Sequence, residues 1–234
     1  MIPIKTESAW RGTSDCRNCG IREMVLFADL NEHDFNHIHA PIDDFFYKPG
    51  QSLYEESDEA LGVFTLRTGL VKLVRVTADG RERVVRVLFA GDVVGLEALA
   101  TGHYDNQAVA LSEISVCRIP LDVINQLSVN SPRLHRKLME KWQSALKQAD
   151  DWLADLNFGS ARQRVLHLVR KMHELSHDGT ATLFRRDDMG AMMDLKLETV
   201  CREVTALVRA GVIEPLDKHG RHYKILLPER LLEK

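Results

Sequence analysis

No apolar stretch in the 234-residue chain approaches the roughly 20 residues that a helix needs to cross a bilayer. The apolar runs are strand-sized, such as Val84-Val85 and Val87-Leu88-Phe89. Glycine (14) and proline (7) are scarce, and 44% of residues are hydrophobic, which excludes a collagen-like, low-complexity or wholly disordered chain. Four cysteines are too few and too unevenly spread for a disulfide scaffold. Met1 to Asp15 carries no apolar core behind a basic start, so no secretory signal and a cytoplasmic location are expected. There is no Ser-His-Asp order, no phosphate-cradling glycine-rich loop and no H-E-x-x-H pair, so the chain is not expected to be an enzyme.

The length suits one or two domains with a real core. Net charge is −3, but its distribution is uneven. Residues 160–234 hold 14 Lys and Arg against 11 Asp and Glu, whereas the first 159 residues hold 17 against 23. An acidic body with a basic C-terminal third matches a nucleic-acid-binding appendage, although scattered surface charge gives the same numbers. Among the cysteines, the Cys16-x-x-Cys19 pair reads as a metal or redox site.

From about Phe45 to Pro120, short β-rich runs alternate with turn signals. Asp79-Gly80 between two β-branched runs predicts a hairpin, both residues tolerating positive φ. Such a texture predicts an antiparallel sandwich or jelly roll able to leave a pocket between its sheets. The period then changes. Ser131-Pro132 opens a helix in which Leu138, Trp142, Ala145, Ala149, Trp152 and Leu156 recur at heptad spacing. This stripe is expected to be a homodimer interface, the alternative being an ordinary core-facing stripe. Met139, Leu146 and Leu153 form a second stripe beside it. Gly159 and Ser160 stop this helix and cap the next, which runs to about Leu175 with Val165, Leu168, Val169 and Met172 on one face.

The segment from Arg186 to Val204 reads as two helices joined by a tight turn. Gly190 and Ala191 are small where the helices must approach, and Asp194 suits a left-handed turn residue. Val200, Val204, Leu207 and Val208 form the inward face of the second helix, and Leu197, Glu198, Cys201 and Arg202 its outward face. The first turns of a recognition helix are those that reach base edges in the major groove. Arg202 can pair with guanine O6 and N7, and Glu198 can accept from cytosine N4. Four residues apart, they share a face on which Glu198 can orient the guanidinium, and a merely solvated Glu–Arg pair is the alternative. Lys218-His219-Gly220-Arg221, between two β-prone runs, resembles the wing of a winged helix and places cations near phosphates.

Gly69 opening a strand, Gly91-Asp92-Val93-Val94-Gly95, the long helix and Glu198-Thr199-Val200-x-Arg202 together resemble the CRP/FNR transcription regulators over nearly the whole chain. The resemblance implies an α+β fold: an N-terminal β-roll (jelly-roll-like) sensor domain, a long dimerisation helix and a C-terminal winged helix-turn-helix. The expected divisions are an N-terminal cysteine-containing segment (1–33), the sensor (34–125), the helix (126–158) and the DNA-binding domain (159–234). It also implies a homodimer on a palindromic promoter site, contact with RNA polymerase and no membrane. Arg202 and Glu198 would read a TGA-like core, Leu197 and Cys201 would lie beside the bases, and Lys196 and Thr199 would serve phosphates.

Cyclic-nucleotide-binding members carry an Arg-Ser/Thr-Ala clamp, and the corresponding stretch here is Asp105-Asn106-Gln107-Ala108, without its cation. With Leu197 replacing an arginine, this points to the FNR branch and to a redox or gaseous signal, oxygen or nitric oxide. Cys16, Cys19 and Cys117 resemble three of the four cysteines that hold an iron–sulfur cluster in that branch, and the fourth position is Val25, which cannot bind iron. The alternatives are a Cys16–Cys19 thiol switch, remnant cysteines with Cys117 in a buried strand, or haem at His33, His37 and His39. Cys201 either touches a thymine methyl or acts as an oxidation-sensitive brake.

Overall fold

A computed structural model describes residues 26–30, 32–35, 42–176 and 178–232. Cys16, Cys19, Val25, His37 and His39 lie outside the described residues. The chain divides into two compact units: one comprises residues 1–75 and 85–147, the other 76–84 and 148–234.

The first unit begins with a short helix α1 (Glu32–Phe35). Strands β1 (Asp43–Tyr47), β2 (Ser52–Tyr54), β3 (Gly62–Thr68), β4 (Val71–Val76), β5 (Glu82–Leu88) and β6 (Val93–Val94) follow. A one-turn helix α2 (Ala98–Thr101) then precedes β7 (Gln107–Ala110) and β8 (Ile114–Pro120). The strands form two four-stranded sheets, ordered β1-β8-β3-β6 and β2-β7-β4-β5. Phe64, Leu66, Val94 and Val116 pack with Leu73, Leu88 and Ala108 of the second sheet. The intervening residues Val63, Val93, Cys117 and Ile119 belong to a separate core with Leu26, Phe27 and Leu30. That core also takes Val123, Ile124 and Leu127 of α3 (Leu121–Asn130) and Leu134 and Leu138 of α4 (Pro132–Leu156). The first sheet is therefore covered on both faces, which is why β3 reads as an uninterrupted buried run rather than an alternating one.

The Asp79-Gly80 hairpin forms between β4 and β5, with positive φ only at Gly80. Asp79 instead accepts hydrogen bonds from the Thr77 hydroxyl (2.5 Å) and Arg81 Nε (2.7 Å). Helix α3 is separate from α4, so the long helix begins at Pro132, where Ser131 Oγ accepts from the Leu134 N–H at 3.3 Å.

The heptad stripe expected to pair two chains is instead mostly interior. Trp152 and Leu156 are only 4% and 1% exposed, and Leu138 is also buried. Trp142 and Ala145 are half-buried against the core of α3 and the first sheet, and Ala149 is half-buried. Lys171 stacks over the Trp152 ring at 4.9 Å. Heptad spacing marks any helix face covered by apolar neighbours, and here the neighbours come from the same chain. The second stripe faces outward, with Leu146 65% and Leu153 56% exposed and Met139 exposed above them.

In the second unit, Ser160 begins α5 (Ala161–Ser176) with a reciprocal cap. Ser160 Oγ accepts from the Gln163 N–H (3.3 Å), and Gln163 Oε1 accepts from the Ser160 N–H (2.8 Å). Then come β9 (Thr180–Thr182), α6 (Arg186–Met193), α7 (Leu197–Arg209), β10 (Ile213–Pro215) and β11 (His222–Ile225), closing on a 3-10 turn at Pro228–Leu232. The three strands form one antiparallel sheet, ordered β10-β11-β9. Val165, Leu168, Val169 and Met172 are buried on α5, as their spacing predicts.

Candidate nucleic-acid interface

Helix α6 ends at Asp194, which adopts the left-handed conformation (φ 53°) expected of the turn. The turn is tight. A Cβ on Gly190 would lie 2.7 Å from the Leu195 carbonyl oxygen, so no larger residue fits without displacing backbone. Arg164 of α5 donates to the Met193 carbonyl at 2.6 Å, satisfying an end of α6 that the helix itself leaves open.

Beyond the turn, α7 is amphipathic. Val200, Val204 and Leu207 are buried, with Val208 half-buried. Leu197, Glu198, Cys201 and Arg202 are all exposed on the first two turns, Lys196 is exposed just ahead of them, and Thr199 is half-buried. The sequence-predicted outward face is thus assembled on one surface. Its internal pairing differs from expectation: Arg202 Nε lies 3.4 Å from Glu203 Oε1 and does not pair with Glu198. Glu203 is the more enclosed carboxylate, and its position one residue away keeps the guanidinium near the helix surface while leaving most of it exposed.

The loop 216–221 projects between β10 and β11 as the predicted wing, with Gly220 at φ 61°. Asp217 accepts from the Arg221 and His222 N–H groups at 3.1 and 2.9 Å, and these hydrogen bonds hold its carboxyl below the usual range. Arg186 at the start of α6 donates to the Gly220 carbonyl (3.1 Å) and the Tyr223 hydroxyl (2.6 Å). One guanidinium therefore fixes the wing to the helix-turn-helix. Lys196, Lys218 and Arg221 place exposed cations on the helix and wing beside Glu198 and Arg202, and cations so placed suit phosphates.

The sensor sheet carries a different polar group. Cys117 on β8 is flanked directly across the strands by Asp44 of β1 and Thr65 of β3. Its thiol donates to Asp44 Oδ1 at 3.3 Å, while Arg67 holds Asp44 Oδ2 at 2.7 Å. Thr65 is 1% exposed, and its hydroxyl has no hydrogen-bond partner among the described residues. Among those residues no three His, Cys, Asp or Glu side chains converge as a metal site. Asp44 and Thr65 escaped the sequence reading, since strand alternation shows that a residue shares a face but not which residue stands opposite.

Near the Asp105–Ala108 stretch, Tyr54 stacks on Tyr104 with centroids 3.6 Å apart. The Tyr54 hydroxyl and Glu97 Oε1 are buried without hydrogen-bond partners among the described residues. Burial raises the Glu97 carboxyl above its ordinary range, opposed by Arg86.

A model of the cyclic nucleotide-binding domain matches residues 45–131, which span the two sheets. The fumarate nitrate reduction regulatory protein of Klebsiella oxytoca is 28% identical over 213 residues, covering 87% of this chain and 84% of that protein. The fumarate and nitrate reduction regulatory protein of Escherichia coli is 27% identical over the same shares. The solved structure of FixK2 from Bradyrhizobium japonicum superposes with a TM-score of 0.74 at 25% identity, covering 82% of this chain and 96% of that one. Over most of its length the chain is similar to regulators of the FNR type. A CRP/FNR-family transcriptional regulator from Thermus thermophilus shares the fold, with a TM-score of 0.64 at 20% identity over 82% of this chain and 98% of that one. The relatives named above are regulatory proteins. No helix among the described residues is long and apolar enough to cross a membrane.

Proposed function

We propose that the protein is a homodimeric, sequence-specific DNA-binding regulator of promoters that answers a redox or gaseous signal, oxygen or nitric oxide, rather than a cyclic nucleotide. The observation that carries the DNA reading is the two-sided α7, with Val200, Val204 and Leu207 buried and Leu197, Glu198, Cys201 and Arg202 exposed beside a cationic wing. Arg202 reads guanine and Glu198 cytosine, Leu197 and Cys201 meet apolar base edges, and Lys196 and Thr199 contact phosphates. Two such helices, one from each protomer, enter adjacent major grooves about one helical turn apart, and the complex engages RNA polymerase. Met139, Leu146 and Leu153 form the dimer seam, since three exposed apolar residues at seven-residue spacing supply one side of a coiled-coil contact.

Against a cyclic nucleotide stands the absence of a cation in Asp105–Ala108, together with the buried, proton-favouring Glu97 in the same unit. The signal is received at Cys16, Cys19 and Cys117. A cluster held by four cysteines does not fit this chain. Val25 replaces one thiolate, and the ionisable group beside Cys117 is a carboxylate already hydrogen-bonded to it.

The test is operator binding by the intact dimer, followed across salt concentrations under aerated and anaerobic conditions. Preferred palindromic sites with a steep salt slope are expected, and the affinity should change between the two atmospheres. Arg202→Ala should weaken operator binding by about 1–3 kcal/mol and relax preference at the contacted guanine. An unchanged preference in that variant refutes the base-reading assignment.

A further inference from the structure

Two adjacent arginines stand at the start of α6, and they are used differently. Arg185 is exposed and lies on Asp187, its Nε and Nη2 donating to the carboxylate at 3.1 and 2.8 Å. Arg186 is half-buried and turned toward the wing. Its Nη2 donates to the Gly220 carbonyl (3.1 Å) and the Tyr223 hydroxyl (2.6 Å), and its Nη1 to the Met189 sulfur (3.2 Å). Tyr223 is itself buried on β11. A Cβ on Gly220 would stand 3.1 Å from the phenol oxygen, so the turn of the wing rides directly on that hydroxyl. Leu216, Lys218, His219 and Arg221 are exposed, so polar contacts rather than burial of these side chains hold the wing. At its base Asp217 accepts from the Arg221 and His222 N–H groups, and the Leu216 N–H donates to the His222 carbonyl. At Gly220 the holding group is Arg186.

We infer that Arg186 is a positioning residue for DNA binding, one that serves the duplex by holding Lys218 and Arg221 in place rather than by touching a phosphate itself. Its Nη2 already meets a carbonyl and a phenol oxygen in a half-buried contact, and reaching a phosphate would break both charge-assisted bonds. Lys218 and Arg221 flank the anchored turn and are exposed. A wing fixed before the duplex arrives loses less freedom on binding, so each phosphate contact it makes adds more to affinity. Lysine at position 186 keeps the charge but replaces the planar fork with a point donor, which does not reproduce the paired bonds to Gly220 and Tyr223. Phenylalanine at position 223 removes the phenol oxygen and alters no charge.

This inference rests on the reading of the wing cations as phosphate contacts, and its test separates the two. Operator and non-operator affinities of the full-length protein are measured across salt concentrations. The variants are Arg186→Lys, Arg186→Ala, Tyr223→Phe and the double wing variant Lys218→Ala with Arg221→Ala. Trypsin cleavage after Lys218 and Arg221 in the free proteins reports how firmly the wing is held. The double wing variant should lower the slope of log affinity against log salt by about 2. Tyr223→Phe and Arg186→Lys, which keep every charge, should each lower that slope and weaken both DNAs severalfold. The ratio of operator to non-operator affinity should stay that of the parent, which a disturbed helix-turn-helix would not allow. Cleavage within the wing should rise severalfold in both, with circular dichroism unchanged. Added to the double wing variant, neither should lower the slope further. Parent-like cleavage in both variants would overturn the anchoring. A slope unchanged by Tyr223→Phe but lowered equally by Arg186→Ala in the parent and in the double wing variant would make Arg186 a phosphate contact and overturn the indirect role. If cleavage rises as expected but the double wing variant keeps the parent slope, the anchor stands and the reading of the wing as a phosphate contact falls.

Discussion

In the sheet β1-β8-β3-β6, Cys117 and Thr65 are buried and Asp44 nearly so, whereas on α7 Glu198, Cys201 and Arg202 face solvent. The same residue types carry different information in the two places. A polar group inside an apolar layer must find a partner or destabilise the fold, so each contact there, or its absence, is evidence of what the site accommodates. An exposed polar group costs nothing, and its meaning comes from the buried face behind it and the surface beside it. α4 repeats the contrast within one helix, since neighbouring apolar stripes face the chain's own interior and the outside.

The largest expected effect breaks that last contrast. Leu156→Ala should destabilise the chain by about 2–5 kcal/mol in urea unfolding, because it opens a cavity under a fully covered side chain. Leu153→Ala, one stripe away, should leave monomer stability within about 0.5 kcal/mol yet raise the dimer dissociation constant in sedimentation. Equal effects of the two on unfolding would erase the distinction between inner and outer stripes.

Gly190→Ala tests the helix-turn-helix alone. Its added methyl meets the Leu195 carbonyl oxygen, so thermal unfolding of the second unit should shift down by an amount corresponding to about 1–3 kcal/mol. The first unit should be unaffected. Lys196→Ala sharpens the view of the exposed surface: operator and non-operator binding should weaken together, and the slope of log affinity against log salt should fall by about 1. A loss confined to one operator base would make Lys196 a base reader instead.

The smallest expected effect belongs to the buried side of the comparison. Burial raises the Glu97 carboxyl above its ordinary value of 4.5. The folded chain thus holds that proton to a higher pH than the unfolded chain does. Stability supplied by the neutral acid is present below the ordinary value and is lost as pH rises through the elevated one. Glu97→Gln should abolish that part of the decline when unfolding is followed from about pH 4 upward. A wild-type profile parallel to that of the variant would show the carboxyl to be ordinary.

Much of this was legible in the sequence. Local chemistry determined the capped start of α5 at Ser160, the left-handed Asp194, the small Gly190 on α6 against which the turn packs, and the two faces of α7. Each of these depends on residues within a few positions of one another, where spacing fixes geometry. The separate helix α3 was also within reach, since Val123, Ile124 and Leu127 recur at helical spacing between Pro120 and Pro132. The tertiary structure alone decided which stripe of α4 is covered, because periodicity marks an apolar face but not the neighbour that packs on it. It also turned Arg202 toward Glu203 rather than Glu198, a choice among exposed rotamers that spacing does not make. Above all, it decided that Asp44 stands beside Cys117, 73 residues away. Cross-strand register is set by the packing of whole sheets, so it cannot be read from either strand alone.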